Sequence, residues 1–324
     1  MNPNVRIARP AELEQLGELV LAANPHLTDR IANFRKHGYY WHDVVPVVCE
    51  VQGQLASCAC IFKRSLRVGE TEAAFCGIGA VATHPNFRRR GLATDVLEKC
   101  ETLMAGWGVE VSVLFCSIVD FYAQQGWSAV EDRMAEFDMP SNAGPVDFGD
   151  YGVRPIQLDE ISGPLRAIAD SQSAIPRNPE TWRQYASWRK EDPDLIFGAS
   201  VDHELVAYVR GKRTGPGEFR LLDAAWLPDH GRAMMSLLRM QAELVNGNSR
   251  ARCRVFLSPE HPLCALLEAA GMRVGWRQIP PEMGVMMVKS IRAGGGAGRG
   301  HLQREAFDSA MPWRPRSWWG IDRF

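Results

Sequence analysis

Two hydrophobic rhythms alternate along this chain. In short runs, apolar and polar positions take turns, as in half-buried strands; in longer runs, apolar residues return every third or fourth position, as on one face of a helix. Val5-Arg6-Ile7-Ala8 opens as a strand, and a helix begins at Pro10 and Glu12 with Leu13, Leu16, Leu19 and Val20 on one face. Val44 to Val51 and Leu55 to Phe62 read as strands around the turn Gln52-Gly53-Gln54, and Phe75 to Thr83 as a third that Pro85 stops. Gly91 to Met104 carries a helical face of Leu92, Val96, Leu97, Cys100, Leu103 and Met104. Val109 to Phe115 predicts a strand, Ile118 to Gln125 a short helix, and Trp127 onward a further strand.

After Pro140-Ser-Asn-Ala-Gly-Pro145, whose composition is that of a linker, the same order returns. Val153 to Ile156 mirrors the opening strand; Leu195 to Ser200 and Leu205 to Gly211 flank a turn at Asp202-His203; Phe219 to Trp226 is the next strand. Arg232 to Val245 predicts a helix, Cys253 to Leu257 a strand, His261 to Ala270 a helix and Val285 to Ser290 a closing strand. The repeat is one of architecture and hardly of sequence. It predicts a domain over 1–140, a linker over 141–152, a second domain over 153–291, and a tail over 292–324. The tail starts with the flexible Gly294-to-Gly300 run and ends in Trp313, Trp318, Trp319 and Phe324. So many aromatic residues expect a receiving surface, on the same chain or in a homo-oligomer.

Length agrees with this count: 324 residues at roughly 150 per domain is about two domains. Charge narrows the partners, since 37 basic against 38 acidic residues give no basic surplus for nucleic acid. No stretch is apolar for long enough to predict a membrane helix, and Met1 to Arg6 lacks a signal peptide's apolar core, so a cytoplasmic protein is expected. The eight cysteines then read as buried thiols; Cys58 and Cys60 share a strand face, but no second pair stands at zinc-site spacing, and no metal is expected.

The candidate chemistry sits between the strand Phe75 to Thr83 and the following helix. Arg88-Arg89-Arg90-Gly91-Leu92-Ala93-Thr94 sets arginines and a glycine where helix N–H groups lack partners, a cradle suited to a pyrophosphate. One helix and one strand later comes Phe121-Tyr122-Ala-Gln-Gln-Gly126-Trp127. Gly77 to Ala82 fits the Gly-x-Gly-x-x-Ala dinucleotide fingerprint, but Thr83-His84-Pro85 follows where a helix must start. No Gly-x-Ser-x-Gly elbow points to a serine hydrolase.

In these motifs and their order the chain resembles the GNAT superfamily of acyl-CoA-dependent N-acetyltransferases, over about residues 5–140. Gly77 to Pro85 and Ser117 to Tyr122 look most like the enhanced-intracellular-survival acetyltransferases of mycobacteria and the fungal lysine acetyltransferases. The resemblance implies an α/β (α+β) fold of tandem GNAT units, each a mixed, mostly antiparallel twisted sheet flanked by helices. It also implies acetyl-CoA as co-substrate. Val81, Ala82 and Thr83 would run beside the pantetheine arm, Arg88, Arg89, Arg90, Gly91, Leu92, Ala93 and Thr94 would hold phosphates, and Ser117 and Ile118 would also bind the cofactor. Tyr122 would protonate the departing thiolate. The mycobacterial group places its terminal carboxylate as base, which here would be Phe324 on the returning tail; Asp322, His84 and Glu72 are further candidates. A counterpart of that group's third, sterol-carrier-like domain is not expected within these 324 residues.

The resemblance admits amino acids, aminoglycosides, polyamines and lysine side chains as acceptors. Phe34, Tyr39, Tyr40 and Trp41 would border that site, or pack in the core. In the second domain Pro228-Asp-His-Gly231-Arg-Ala233 stands where the loop should be, with proline in place of the leading arginine, so that half is expected not to bind CoA. The reading is an N-acetyltransferase for a small-molecule primary amine. Its alternatives are a protein-lysine acetyltransferase and a non-catalytic acyl-CoA sensor or scaffold.

Overall fold

A computed structural model describes residues 3–28, 31–32, 43–68, 71–130, 133–139, 148–171, 179, 182, 195–246, 250–257, 259–279 and 284–291. The chain divides into two compact units, one built on Met1–Glu131 with a returning segment after Pro280, the other on Asp132–Ile279.

The first unit opens with β1 (Asn4–Ile7) and α1 (Leu13–Ala23), whose buried face is Leu16, Gly17, Leu19 and Val20. β2 (Val44–Val51), β3 (Gln54–Val68) and β4 (Thr71–Thr83) form an antiparallel meander. The β2–β3 turn places Gln52 and Gly53 at φ of 54° and 78°, the left-handed pair that matches strand twist in a two-residue hairpin. α2 (Leu92–Gly106) lays Leu92, Val96, Leu97, Cys100 and Met104 on the sheet. β5 (Val111–Cys116), α3 (Val119–Gln124) and β6 (Ser128–Ala129) follow.

β7 (Arg133–Met139) leaves this sheet and joins the second unit. There the chain repeats itself with β8 (Gly152–Pro155), α4 (Gly163–Ser171), β9 (Leu195–Val201), β10 (Glu204–Gly215), β11 (Glu218–Trp226), α5 (Gly231–Asn246), β12 (Ala251–Val255), α6 (Pro262–Ala269) and β13 (Gly275–Gln278). β14 (Val285–Ser290) then returns to the first sheet.

The two seven-stranded sheets have the same plan. The first runs β1-β2-β3-β4-β5-β14-β6 and the second β8-β9-β10-β11-β12-β7-β13. Each is antiparallel except at one central step, β4 with β5 and β11 with β12. Position six is where the contiguous division at 140 and 153 fails. Val285–Ser290, expected to close the second domain, pairs with β5 and β6, and 133–139, expected in the first domain, pairs with β12 and β13. Both are inner strands, which explains their composition. Met286 and Met287 point to opposite faces and both are buried, as are Met134, Ala135, Phe137 and Met139. Burying each large side chain contributes about 2 kcal/mol.

The repeat reaches a detail that hydrophobic patterning does not show. In the first unit Glu12 accepts from Arg6 at 2.7 Å and from the backbone N–H of Arg9 at 2.7 Å. In the second, Glu160 accepts from Arg154 at 2.6 Å and from the N–H of Gln157 at 2.6 Å. Each clamp pins the edge strand to the turn that leads into the first helix.

Candidate active site

The parallel pairing of β4 and β5 is short. It covers Phe75–Gly77 against Val111–Val113 and goes no further. Beyond it β4 runs on to Thr83 with β3 alongside, and β5 runs on to Cys116 with β14 on its other flank. The strands are splayed there, and the edge of β4 over 78–83 faces the gap without a strand partner among the described residues. A bulge sets the splay: Cys58 pairs with Ala82 and Cys60 with Gly79, one extra residue on β4, and Ala80 takes φ 49°. β3 fixes the other edge, with Ser57 Oγ donating to the Ala82 carbonyl at 3.0 Å and meeting Thr83 Oγ1 at 2.9 Å.

The splayed end of β4 leads into the arginine loop. Arg89 and Gly91 both have left-handed backbone, at φ 61° and 77°, within a turn whose N–H groups can line an anion-binding concavity. Gly91 is the N-cap of α2 and, as a glycine, supplies no side-chain cap bond, so Leu92, Ala93 and Thr94 begin the helix with N–H donors that a ligand can take up. The three arginines differ. Arg88 turns back onto protein, its Nε 3.4 Å from the Thr83 carbonyl and its Nη2 3.4 Å from the Ala23 carbonyl at the end of α1. Arg90 reaches the Asn86 carbonyl at 3.1 Å and lies over the Phe87 ring. Arg89 is exposed on the left-handed turn itself.

At the end of β5, Ser117 and Ile118 are exposed, Ile118 to 59%, an unusual setting for a large aliphatic residue. α3 then buries Tyr122 to 6% exposure, edge-on to Phe121 and Trp127. Tyr122, Cys116 and Ile78 belong to one core cluster, with Val81 packed against it. Burial raises the Tyr122 phenol above its ordinary value, and the nearby Cys116 adds to this. The thiols are raised by burial in the same way, Cys60 and Cys76 to about 12. All eight cysteines are buried, and none of them forms a disulfide.

The sequence match gives this fold a family. The family model for the acetyltransferase (GNAT) domain covers residues 4–130. Residues 4–130 are a GNAT acetyltransferase domain. With it the chain is a transferase enzyme, and the GNAT fold is one that generally binds acetyl-CoA. No curated protein matches the chain. Among solved structures, a conserved protein of Enterococcus faecalis V583 described as a probable N-acyltransferase aligns at a TM-score of 0.67 and 16% identity, over 90% of this chain and 73% of that one. Eis1 from Mycobacterium abscessus aligns at 0.57 and 18%, over 90% and 74%. A tandem GNAT protein from the clavulanic acid biosynthesis pathway aligns at 0.53 and 13%, over 91% and 100%. The tandem arrangement of GNAT folds is thus a shared one.

The GNAT domain brings Val81 to Thr83, the loop 88–94, Ser117, Ile118 and Tyr122 into one region, around the splayed strand ends. Gly77 to Ala82 lies within β4, so the dinucleotide-fingerprint reading is excluded: there is no helix where that motif needs one. His84 turns its Nδ1 to the N–H of Asn86 at 3.3 Å and caps a turn with it. Glu72 is exposed at the opposite end of β4 from the splay, across from Arg67. Phe34, Tyr39, Tyr40, Trp41, Asp322 and Phe324 lie outside the described residues. Sequence reasoning did not single out Lys289. Its Nζ is 2.5 Å from Glu101 Oε1 and 2.5 Å from the Gln125 carbonyl, partners 188 and 164 positions away in the chain, so no local motif could announce it. Among the described residues, no helix is long and apolar enough to cross a membrane.

Proposed function

We propose that this enzyme transfers the acetyl group of acetyl-CoA to a primary amine of a small molecule by direct attack on the thioester. One coincidence carries the reading: the stretch of β4 beyond its pairing with β5, a glycine-capped helix start with arginines, and a buried tyrosine lie toward the same splayed end of the sheet. In this reading the 78–83 edge of β4 takes up the pantetheine amides as an added strand would. The N–H groups of Leu92, Ala93 and Thr94, with Arg89 and Arg90, hold the pyrophosphate. Arg88, tied to the Thr83 and Ala23 carbonyls, acts by holding the loop. Val81 and Ile118 flank the acyl end.

The amine attacks as the neutral base, the carbonyl oxygen gains charge that backbone N–H groups of the bulge can stabilise, and the C–S bond breaks. Tyr122 donates to the departing sulfur. Because burial raises its phenol, it stays protonated throughout the working pH range and acts as a standing hydrogen-bond donor. A thiolate is a weaker base than the buried phenolate, so proton transfer from Tyr122 is uphill by itself; it is completed by the proton that the attacking nitrogen gives up as the amide forms, which restores the phenol and leaves CoA as the free thiol. The test is CoA release from acetyl-CoA across a panel of amino acids, polyamines, aminoglycosides and lysine peptides. Turnover with small amines supports the reading; turnover with peptides alone would move the acceptor to protein lysine, and no release with any amine would sink it.

A further inference from the structure

We propose that Lys289, on the strand that returns from the far end of the chain, is the positioning residue that holds Tyr122 in register with the helix bearing the phosphate loop. This rests on the acid role of Tyr122 proposed above.

The need for such a residue follows from the size of α3. A helix of six residues cannot maintain itself, and what fixes it must come from outside. Its C-terminal end is built in steps that lead to Lys289. The Tyr122 carbonyl receives the N–H of Gln125 at 2.9 Å and the N–H of Trp127 at 3.1 Å. Gln125 is the C-cap, and its own carbonyl receives the Lys289 ammonium. A cation at this end also meets the negative pole of the helix. Gly126, at φ 81°, completes the turn, and a Cβ there would stand 3.5 Å from Lys289 Cε, so the lysine stem fits flush against it.

The same ammonium is bound by Glu101 on α2, the helix whose first turn follows Gly91. Lys289 and Glu101 are only 20% and 26% exposed, so solvent screens the pair less than a surface one. On the strand, Met287 next along the same face is buried against Cys116, 3.4 Å sulfur to sulfur. β14 therefore touches both ends of the Tyr122 segment, Cys116 before it and Gln125 after it. Lys289 is the point where that segment, the phosphate-side helix and the exchanged strand are joined. It acts through Gln125 and so positions the tyrosine without touching substrate.

The test is steady-state kinetics on the full chain, with acetyl-CoA and the best amine of the panel, for Lys289→Met, Tyr122→Phe and the double variant. Methionine keeps the buried stem and removes the ammonium. Lys289→Met is expected to lower kcat by about tenfold or more while the KM for acetyl-CoA stays within about twofold, the split that marks loss of an interaction made in the transition state. Lys289→Arg, which can still donate to Glu101 and to the Gln125 carbonyl, should recover most of that loss. In the Tyr122→Phe background, Lys289→Met should cost nothing further. A kcat loss of the same factor in both backgrounds overturns the positioning role and leaves the acid role standing. A fully active Tyr122→Phe overturns the acid role, and this proposal with it. If Lys289→Met does not fold, Glu101→Gln replaces it in the same cycle, with a smaller kcat loss expected because the bond to Gln125 remains.

Discussion

The two units share a sheet plan, a hairpin turn and an entry clamp, and differ in what stands at the splayed strand ends. In both, the chain leaves the fourth strand in the same way. His84 N–H donates to the Ala56 carbonyl at 2.9 Å, and Leu227 N–H to the Val206 carbonyl at 2.8 Å. From there the first unit spends residues 85–91 before its helix starts and the second only 228–230. What is missing is the arginine turn. In its place His230 lies edge-on to Tyr151, with the tyrosine hydroxyl 3.4 Å from its Nδ1.

The second difference is at the short helix. Gly126 and Gly271 both end it in left-handed backbone, and the residue four before each has its carbonyl bound by the N–H just after the glycine: Trp127 to Tyr122, and Met272 to Leu267. Leu267 is thus the counterpart of Tyr122, equally buried and without a hydroxyl. A fold that stands in one copy without the loop and the phenol does not need them for stability. Their presence in the other copy is best explained by chemistry.

The largest expected effect tests the strand exchange. Met287→Asp buries a charge in the first sheet and Phe137→Asp in the second, each of the class of change that unfolds a domain. Hydrogen exchange should show Met287→Asp opening residues 44–116 and Phe137→Asp opening 195–257. The reverse assignment would restore contiguous domains. Next is Tyr122→Phe, expected to lower kcat by about a hundredfold, while Leu267→Tyr changes no kinetic parameter; wild-type turnover in the first variant would erase the distinction between the helices.

Arg89→Ala and Arg90→Ala should each raise the KM for acetyl-CoA by about tenfold, the worth of one charge-assisted bond, and Arg232→Ala at the second helix start should not. A response to Arg232→Ala would mean the second copy also binds the nucleotide.

The last comparison is of stability, with no expected change in turnover, and separates the clamps. The side chain of Glu12 is 8% exposed and that of Glu160 is 37%. Arg6 and then Arg9 hold the Glu12 carboxyl far below its ordinary 4.5. Its contribution is complete above that value and is lost as pH falls through the lower folded value. Glu12→Gln should cost about 2 kcal/mol at neutral pH and flatten the acid side of the stability curve; Glu160→Gln should do so less, and equal effects would make the clamps equivalent.

Much of this was legible because it is local. The face of α2 follows from Leu92, Val96, Leu97, Cys100 and Met104 at helical spacing, and the loop from arginines and a glycine between a strand and that helix. The Arg6–Glu12 clamp left a trace, since arginine and glutamate recur six apart at Arg154 and Glu160, but without coordinates such a pair resembles any two surface charges. Lys289 left none, because its partners are brought to it by the sheet.

The sequence by itself determined most of the strands and helices, though not Gly163–Ser171 or Gly275–Gln278, that the order occurs twice, and that only one copy carries the arginine loop. These follow from periodicity and composition, which act over a few residues. Only the tertiary structure decided where the sixth strands go. Arg133–Met139 and Val285–Ser290 are both rich in inner-strand residues, and a strand's pattern records that both its faces are buried without recording between which neighbours. With two sheets of the same plan, either strand suits either vacancy. The register with β5 or β12, and the contacts of Met287 and Lys289 that come with it, settle the choice.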